Sequence, residues 1–200
     1  MPNEDYAIVL DYMPHGKTTS SYKSEPVCQV LGTKFFTLLE VVPKTELKVQ
    51  EQVYIGKETR DKIDYIKKRI EFKELTSTAS SELEKNIEKI VLEDKPRFLD
   101  FFNNSRPISL RMHQLELLPG LGRKHTTDIL NEREKKPFES FEEIVQRIKL
   151  MPDPVKIIVK RIIEELEDPE QKHYIFARPP VKMDFEQHAN FDRRNHFRKF

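Results

Sequence analysis

Hydrophobic and polar positions change rhythm once along this chain, near residue 76. Before that point apolar residues come in short blocks closed by turn formers. Asp5–Met13 (DYAIVLDYM) is apolar and bounded by Pro14-His15-Gly16, which predicts a strand and a turn. Lys17–Glu25 is polar and rich in Ser and Thr, a loop. Pro26–Leu31 predicts a second strand, and Gly32-Thr33-Lys34 a bend or bulge. Phe35–Val42 (FFTLLEVV) is apolar on both faces apart from Thr37 and Glu40, as a central or curled strand is, and Pro43 ends it. Gln52–Gly56 reads as a fourth strand. In Thr59–Lys68 the isoleucines Ile63, Ile66 and Ile70 have helical spacing, whereas Ile70–Leu75 partly alternates. The reading is a short helix followed by a strand.

That content, five short strands with a helix between the last two, suits an OB-like barrel, the small oligonucleotide/oligosaccharide-binding type, over residues 1–76. A small β-sandwich or an open sheet has the same content. From Thr76 the period becomes helical. Thr76-Ser77-Thr78 supplies capping side chains, Ser81 and Glu84 have capping-box spacing, and Leu83, Ile87, Ile90 and Val91 form one stripe. A helix is therefore expected over 78–93. Pro96 suits the first turn of a second helix that buries Phe98, Phe101 and Phe102 and stops at Asn103-Asn104-Ser105. Residues 77–106 form a helical connector.

The segment 107–180 reads as helices joined by turns. Ser109 is placed as the cap of a helix over Leu110–Leu118. Pro119-Gly120-Leu121-Gly122 turns the chain into a helix over Arg123–Glu134. Ser140 with Glu143 opens a helix over Phe141–Leu150, with Ile144, Val145 and Ile148 inward. Asp153 caps and Pro154 begins a helix over Val155–Leu166. Helix–turn–helix thus occurs twice, with Pro152-Asp153-Pro154 standing where the first copy has Gly-Leu-Gly. His173–Phe176 is a final strand or a docking segment. The tail, 181–200, loses periodicity and is expected to be disordered.

Composition narrows the classes. Of 200 residues, 37% are hydrophobic and 34% charged, yet the net charge is only +1. A nucleic-acid site must then come from local segregation of charge or from backbone groups. The tail from Arg178 on carries six basic and three acidic residues, with Arg193 and Arg194 interleaved among phenylalanines. The single cysteine, Cys28, has no internal partner and reads as a small buried hydrophobe in a reducing compartment. The acidic N-terminus lacks a signal-peptide core, and no apolar run approaches the ~20 residues of a spanning helix. A cytoplasmic protein without membrane association is expected.

The chemistry concentrates at the first turn. Only five glycines occur in the chain, and two are Gly120 and Gly122. Both allow positive φ and close approach of a backbone. The N–H groups that follow open a helix without intrahelical acceptors, and with the helix dipole they make a phosphate site, reinforced by Arg123 and Lys124. A plain helical hairpin that uses glycine only to turn is the alternative. Leu115, Leu118, Pro119, Gly120, Leu121, Gly122, Lys124, Ile129 and Leu130 resemble the pattern of the helix-hairpin-helix superfamily, with Thr126 where a small Ala usually packs. The resemblance implies a backbone grip on nucleic acid. More widely, VYIGKETRDKIDYIKKRI, LELLPGLGRKHTTDIL and KPFESFEEIVQRI resemble an uncharacterised archaeal family of predicted nucleic-acid-binding proteins, with an N-terminal barrel and a C-terminal hairpin domain, over about residues 4–180.

Further candidates for binding are Tyr6, Tyr12, Phe35, Phe36 and Tyr54 as stacking faces, with Lys17, Lys23 and Lys34 beside them, and the tail arginines Arg193 and Arg194. Catalysis is not expected. DNA glycosylases with such a hairpin carry an essential Asp beyond it, and here no Asp lies between Asp128 and Asp153. His15, His113, His125, His173, His188 and His196 show no metal spacing. The expectation is an α+β protein, a small OB-like β-barrel followed by an all-α double helix-hairpin-helix domain. It binds nucleic acid without catalysis, metal or cofactor, RNA being favoured over DNA. A DNA-binding repair or recombination protein and a protein-interaction scaffold are the alternatives.

Overall fold

The computed structural model describes residues 4–16 and 25–179; Lys17, Lys23 and the tail with Arg193 and Arg194 lie outside them. Five strands form one antiparallel sheet: β1 (Tyr6–Met13), β2 (Val27–Gly32), β3 (Leu38–Pro43), β4 (Gln52–Tyr54) and β5 (Ile63–Arg69), in the order β4-β1-β2-β3-β5. Register breaks in β1 between Val9 and Asp11, and in β3 on either side of Val41-Val42, add twist. The sheet curls into a half-barrel with β4 and β5 at opposite edges.

Strand alternation explains why these strands are apolar on both faces. Ala7, Val9, Cys28, Val30, Leu39, Val41, Val53 and Ile63 form one buried cluster. Ile8, Leu10, Leu31 and Leu38 face the other way and join the helices. Two expectations change here. The strand expected from Phe35 begins at Leu38, because Phe36 takes φ 52° in a turn held by a carboxylate. Glu4 accepts the N–H groups of Lys34, Phe35 and Thr37 at 2.9, 2.9 and 3.1 Å. The helix-then-strand expected over 59–75 is reversed, being strand β5 followed by a 3-10 turn, Phe72–Glu74. Pairing with β3 sends Ile63 inward and leaves Ile66 37% exposed, so their helical spacing never becomes one face.

Helix α1 (Ser77–Glu93) is capped by Thr76, whose Oγ1 accepts from Ala79 N at 3.1 Å. Its stripe of Leu83, Ile87, Ile90 and Val91 is buried. Helix α2 (Lys95–Asn104) carries Pro96 in its first turn and buries Phe98 and Phe102. The helix expected over Leu110–Leu118 is absent. In its place stand a two-stranded hairpin, β6 (Pro107–Ser109) with β7 (Met112–His113), and a 3-10 turn, Gln114–Leu117. The apolar residues Ile108, Leu110 and Met112 alternate at the strand period, and Ser109 Oγ accepts from Arg111 N inside the tight turn rather than capping a helix.

Helices α3 (Arg123–Lys135), α4 (Phe141–Arg147) and α5 (Pro154–Glu167) follow. Helix α4 stops three residues short of the expected Leu150, and Val145 is 45% exposed rather than inward. One apolar cluster runs from Ile8 and Phe36 of the sheet region through Ile87 and Phe98 to Ile129, Ile144 and Ile158. Residue 76 caps α1 and residue 106 precedes β6, so this core passes both positions. The segment after α5 is not a strand. It docks through Glu165, which accepts the N–H groups of Ile175, Phe176 and Ala177 at 2.8, 3.0 and 2.7 Å. No helix among the described residues is long and apolar enough to cross a membrane.

Candidate functional site

Two turns lie side by side at one end of the helical region, between the 3-10 turn and α3 and between α4 and α5. In the first, Leu121 N donates to Leu118 O at 3.0 Å, Gly120 takes φ 87°, and Leu121 is 5% exposed. In the second, Met151 N donates to Ile148 O at 3.4 Å, Leu150 takes φ 58°, and Met151 is 8% exposed. Leu118, Gly120 and Leu121 are therefore equivalent to Ile148, Leu150 and Met151. The expected match of Gly-Leu-Gly with Pro152-Asp153-Pro154 is shifted, because the repeat is carried by backbone conformation and a buried anchor. The turns touch directly. His125 Nε2 is 3.2 Å from Leu150 O, and a Cβ added at Gly120 would lie 3.5 Å from Pro152 Cγ.

Beyond the anchors the copies diverge at the start of the next helix. Asp153 Oδ1 accepts Val155 N at 2.9 Å and Lys156 N at 3.3 Å, closing the N-terminus of α5. Gly122 occupies the same role for α3, and no side chain caps that end. A Cβ built on Gly122 meets nothing within 4 Å, so the space beside this cap position is open. Gly122, Arg123 and Lys124 are exposed around it. Gly122 has φ −100°, which any residue adopts, so only Gly120 needs the freedom of glycine. The second glycine matters for the space it leaves. Leu121, counted among the contact residues, presents its side chain to the core; only its backbone faces the turn.

The chain matches, over residues 3–178, the family model described as protein of unknown function DUF655. It belongs to that family. An uncharacterized protein of Methanocaldococcus jannaschii, MJ0038, is 44% identical over 178 residues, covering 88% of this chain and 80% of that protein. The crystal structure of Af1531 from Archaeoglobus fulgidus, of the same DUF655 family, shares 46% identity and superposes with a TM-score of 0.80, covering 88% of this chain and 100% of that one.

Within this DUF655 chain Arg147 ties α4 to the C-terminal end of α3. Arg147 donates to Glu132 Oε2 at 3.1 Å, to Glu143 Oε1 at 3.0 Å and to Lys136 O at 2.9 Å, and lies 4.5 Å from the Phe138 ring centroid. Lys135 and then Arg147 hold the Glu132 carboxyl below its ordinary range. Thr126, where a small Ala was the reference, is 5% exposed, and its Oγ1 is buried without a hydrogen-bond partner. His113 accepts from Leu115 N through Nδ1 at 3.2 Å, while its Nε2 is buried without a partner. Burial, and then Arg133, push its pKa down.

The other predicted residues do not gather at the turns. Lys34 is exposed on the β2–β3 turn with its ammonium 5.4 Å from the Phe35 ring centroid. It lines a cleft of about 420 Å³ with Phe35, Arg97, Glu93 and Asp94. Phe36 is core, Tyr12 packs on the inner cluster, and Tyr6, 48% exposed, pairs edge-on with Tyr54 at 5.3 Å. Sequence reading missed Tyr65, 41% exposed on β5, and Leu150, 82% exposed in the second turn. The exposure of Leu150 follows from its positive φ, which no hydropathy pattern signals. Among the described residues no three His, Cys, Asp or Glu side chains are placed to hold a metal.

Proposed function

We propose that this chain is a non-catalytic nucleic-acid-binding protein whose curled sheet is OB-like and whose paired turns are a double helix-hairpin-helix unit. The observation that carries the reading is the asymmetry of the two turns. The α3 N-terminus at Gly122 is uncapped, open and flanked by Arg123 and Lys124, whereas its counterpart on α5 is filled by the Asp153 carboxylate. Backbone N–H groups at a helix start donate to a phosphate oxygen without reading sequence. Asp153 already supplies that anion to α5, so one turn of the pair grips and the other supports it. Structured RNA is the favoured polymer. Tyr6, exposed and edge-on to the half-buried Tyr54, offers a stacking face to unpaired bases, which RNA presents in loops and bulges.

Fluorescence anisotropy with labelled single-stranded RNA, single-stranded DNA, duplex RNA and duplex DNA, at low and moderate salt, tests this. Salt-sensitive binding with RNA tightest is expected, and no salt-sensitive binding to any of the four would sink the proposal. Gly122→Asp combined with Lys124→Glu places two carboxylates at the grip. The double variant is expected to bind about tenfold or more weakly with a near-normal melting temperature.

A further inference from the structure

The β6–β7 hairpin is held firmly at its base and stands clear of the fold at its tip. At the base, Arg106 N donates to Gln114 Oε1 at 2.8 Å, and Gln114 N donates to Arg106 O at 3.1 Å. His113, 6% exposed, donates its backbone N–H to Glu116 Oε1 at 2.9 Å and accepts from Leu115 N at 3.2 Å. From that root Ser109 pairs with Met112, and Leu110 and Arg111 form the apex. Leu110 is 107% exposed, so the core gains nothing from its side chain. Tight hairpin turns favour Gly, Asn and Asp. Neither apex residue takes a positive φ, so the backbone here accepts any small polar residue. The turn does not call for leucine, and leucine leaves an apolar group in water beside Met112, itself 39% exposed.

The charges around the tip say what covers it. Residues 106–112 (RPISLRM) hold two arginines and no acid. Arg106 and Arg111 are exposed and make no ion pair among the described residues. The covering surface is therefore anionic, with apolar matter just behind its charges. A bilayer of anionic lipid has that layering, but even a whole fatty-acyl chain gives only marginal, reversible membrane binding, and one leucine offers much less. Nucleic acid has the same layering on a smaller scale. Its apolar base faces lie behind the phosphates, and leucine is among the residues that enter a base step as wedges. Such a wedge need not hold the polymer unaided, because the proposed α3 grip is on the same chain.

We infer that Leu110 is a wedge that enters a step between stacked bases and parts them, with Arg106 and Arg111 on the flanking phosphates. The inference rests on the nucleic-acid reading and adds an act to it, since the chain then unstacks the polymer that it holds. The fixed root suits this act. Parting two bases works against their stacking, and a yielding tip would retreat.

The test uses the full chain and a set of RNA duplexes carrying one 2-aminopurine at successive positions. This base analogue brightens when it loses its stacking neighbours. Saturating wild-type chain is expected to brighten the probe at one or more positions. Leu110→Ser is expected to bind about tenfold more weakly and, at saturation, to leave the probe dark. Arg106→Ser combined with Arg111→Ser is expected to lower the slope of log affinity against log salt by about two. Both variants are expected to melt as the wild type does. A probe that stays dark with saturating wild type overturns the inference, and so does brightening that survives Leu110→Ser; the phosphate grip then stands without the wedge. An unchanged salt slope overturns the placing of the arginines. A large fall in the melting temperature of Leu110→Ser assigns the side chain to the fold and overturns the wedge. Cosedimentation with phosphatidylglycerol vesicles that Leu110→Ser abolishes, with RNA binding untouched, overturns it in favour of a membrane surface. Failure of the wild-type chain to bind any nucleic acid removes the underlying reading as well.

Discussion

Glu165 is 2% exposed and lies on α5, yet it organises a segment ten residues away. Its carboxylate receives three consecutive backbone N–H groups and Arg161 Nε at 2.9 Å. A buried charge is tolerable only with such full pairing. Glu4 does the same for the β2–β3 turn. Neither role is visible in the sequence. The buried Cys28 is the reverse case, since an apolar setting in a strand run marked it correctly; burial pushes its thiol up to about 12, so it is an inert packing group. His113 carries a pH prediction. Its folded pKa is depressed below 6.5, so the unfolded chain binds the extra proton first. Stability is therefore full above pH 6.5 and falls as pH drops from there toward the lower folded value. Thermal melts across that window, compared with His113→Gln, check this. The fall should shrink in the variant, and an identical pH profile would assign it to other groups.

At the scale of elements, the spans of α1, α3 and α5 were legible, α4 came out three residues short, and one expected helix is absent. Thr76, Ser140 and Asp153 cap α1, α4 and α5 as expected, because a cap is a local bond between a side chain and a backbone N–H two or three residues on. The return bond expected from Glu143 goes to Glu139 N instead, at 2.7 Å. The expected first helix of the paired unit failed for a different reason. Leu115 and Leu118 have helical spacing and are buried, but Ile108 and Met112 upstream lie in the paired strands β6 and β7, with Leu110 exposed in the turn between them. The two turns give the element-scale prediction. Asp153→Ala should lower stability by about 1 kcal/mol through loss of its cap and leave nucleic-acid affinity unchanged. Urea titration and anisotropy on the same variant test both halves. A loss of affinity equal to that of Gly122→Asp with Lys124→Glu would mean that the α5 end is also in the grip.

Across the whole molecule one core joins the sheet to the helical region. Phe98 on α2 stacks within 6.4 Å of Phe36 and 5.5 Å of Phe176, and Arg178 N donates to Phe35 O at 2.9 Å, so the end of the described chain returns to the sheet. Chemical unfolding followed by far-ultraviolet circular dichroism and by tyrosine fluorescence should give coincident transitions. Two separated transitions would show that the sheet and helices unfold independently. Phe98→Ala removes the ring shared between layers and is expected to destabilise by roughly 3–5 kcal/mol.

The sequence by itself determined the change from strand to helical period near residue 76, four of the five strands in place, the caps of α1, α4 and α5, and the turn at Gly120. All of these rest on contacts within a few residues or on a period that burial imposes. Only the tertiary structure decided that Ile63–Arg69 is an edge strand on β3, that the sheet curls without β4 meeting β5, and that Leu150, not the Pro-Asp-Pro triplet, is the counterpart of Gly120. Each of those depends on which distant segment lies alongside, or on the sign of a single φ. Neither quantity is written in local composition.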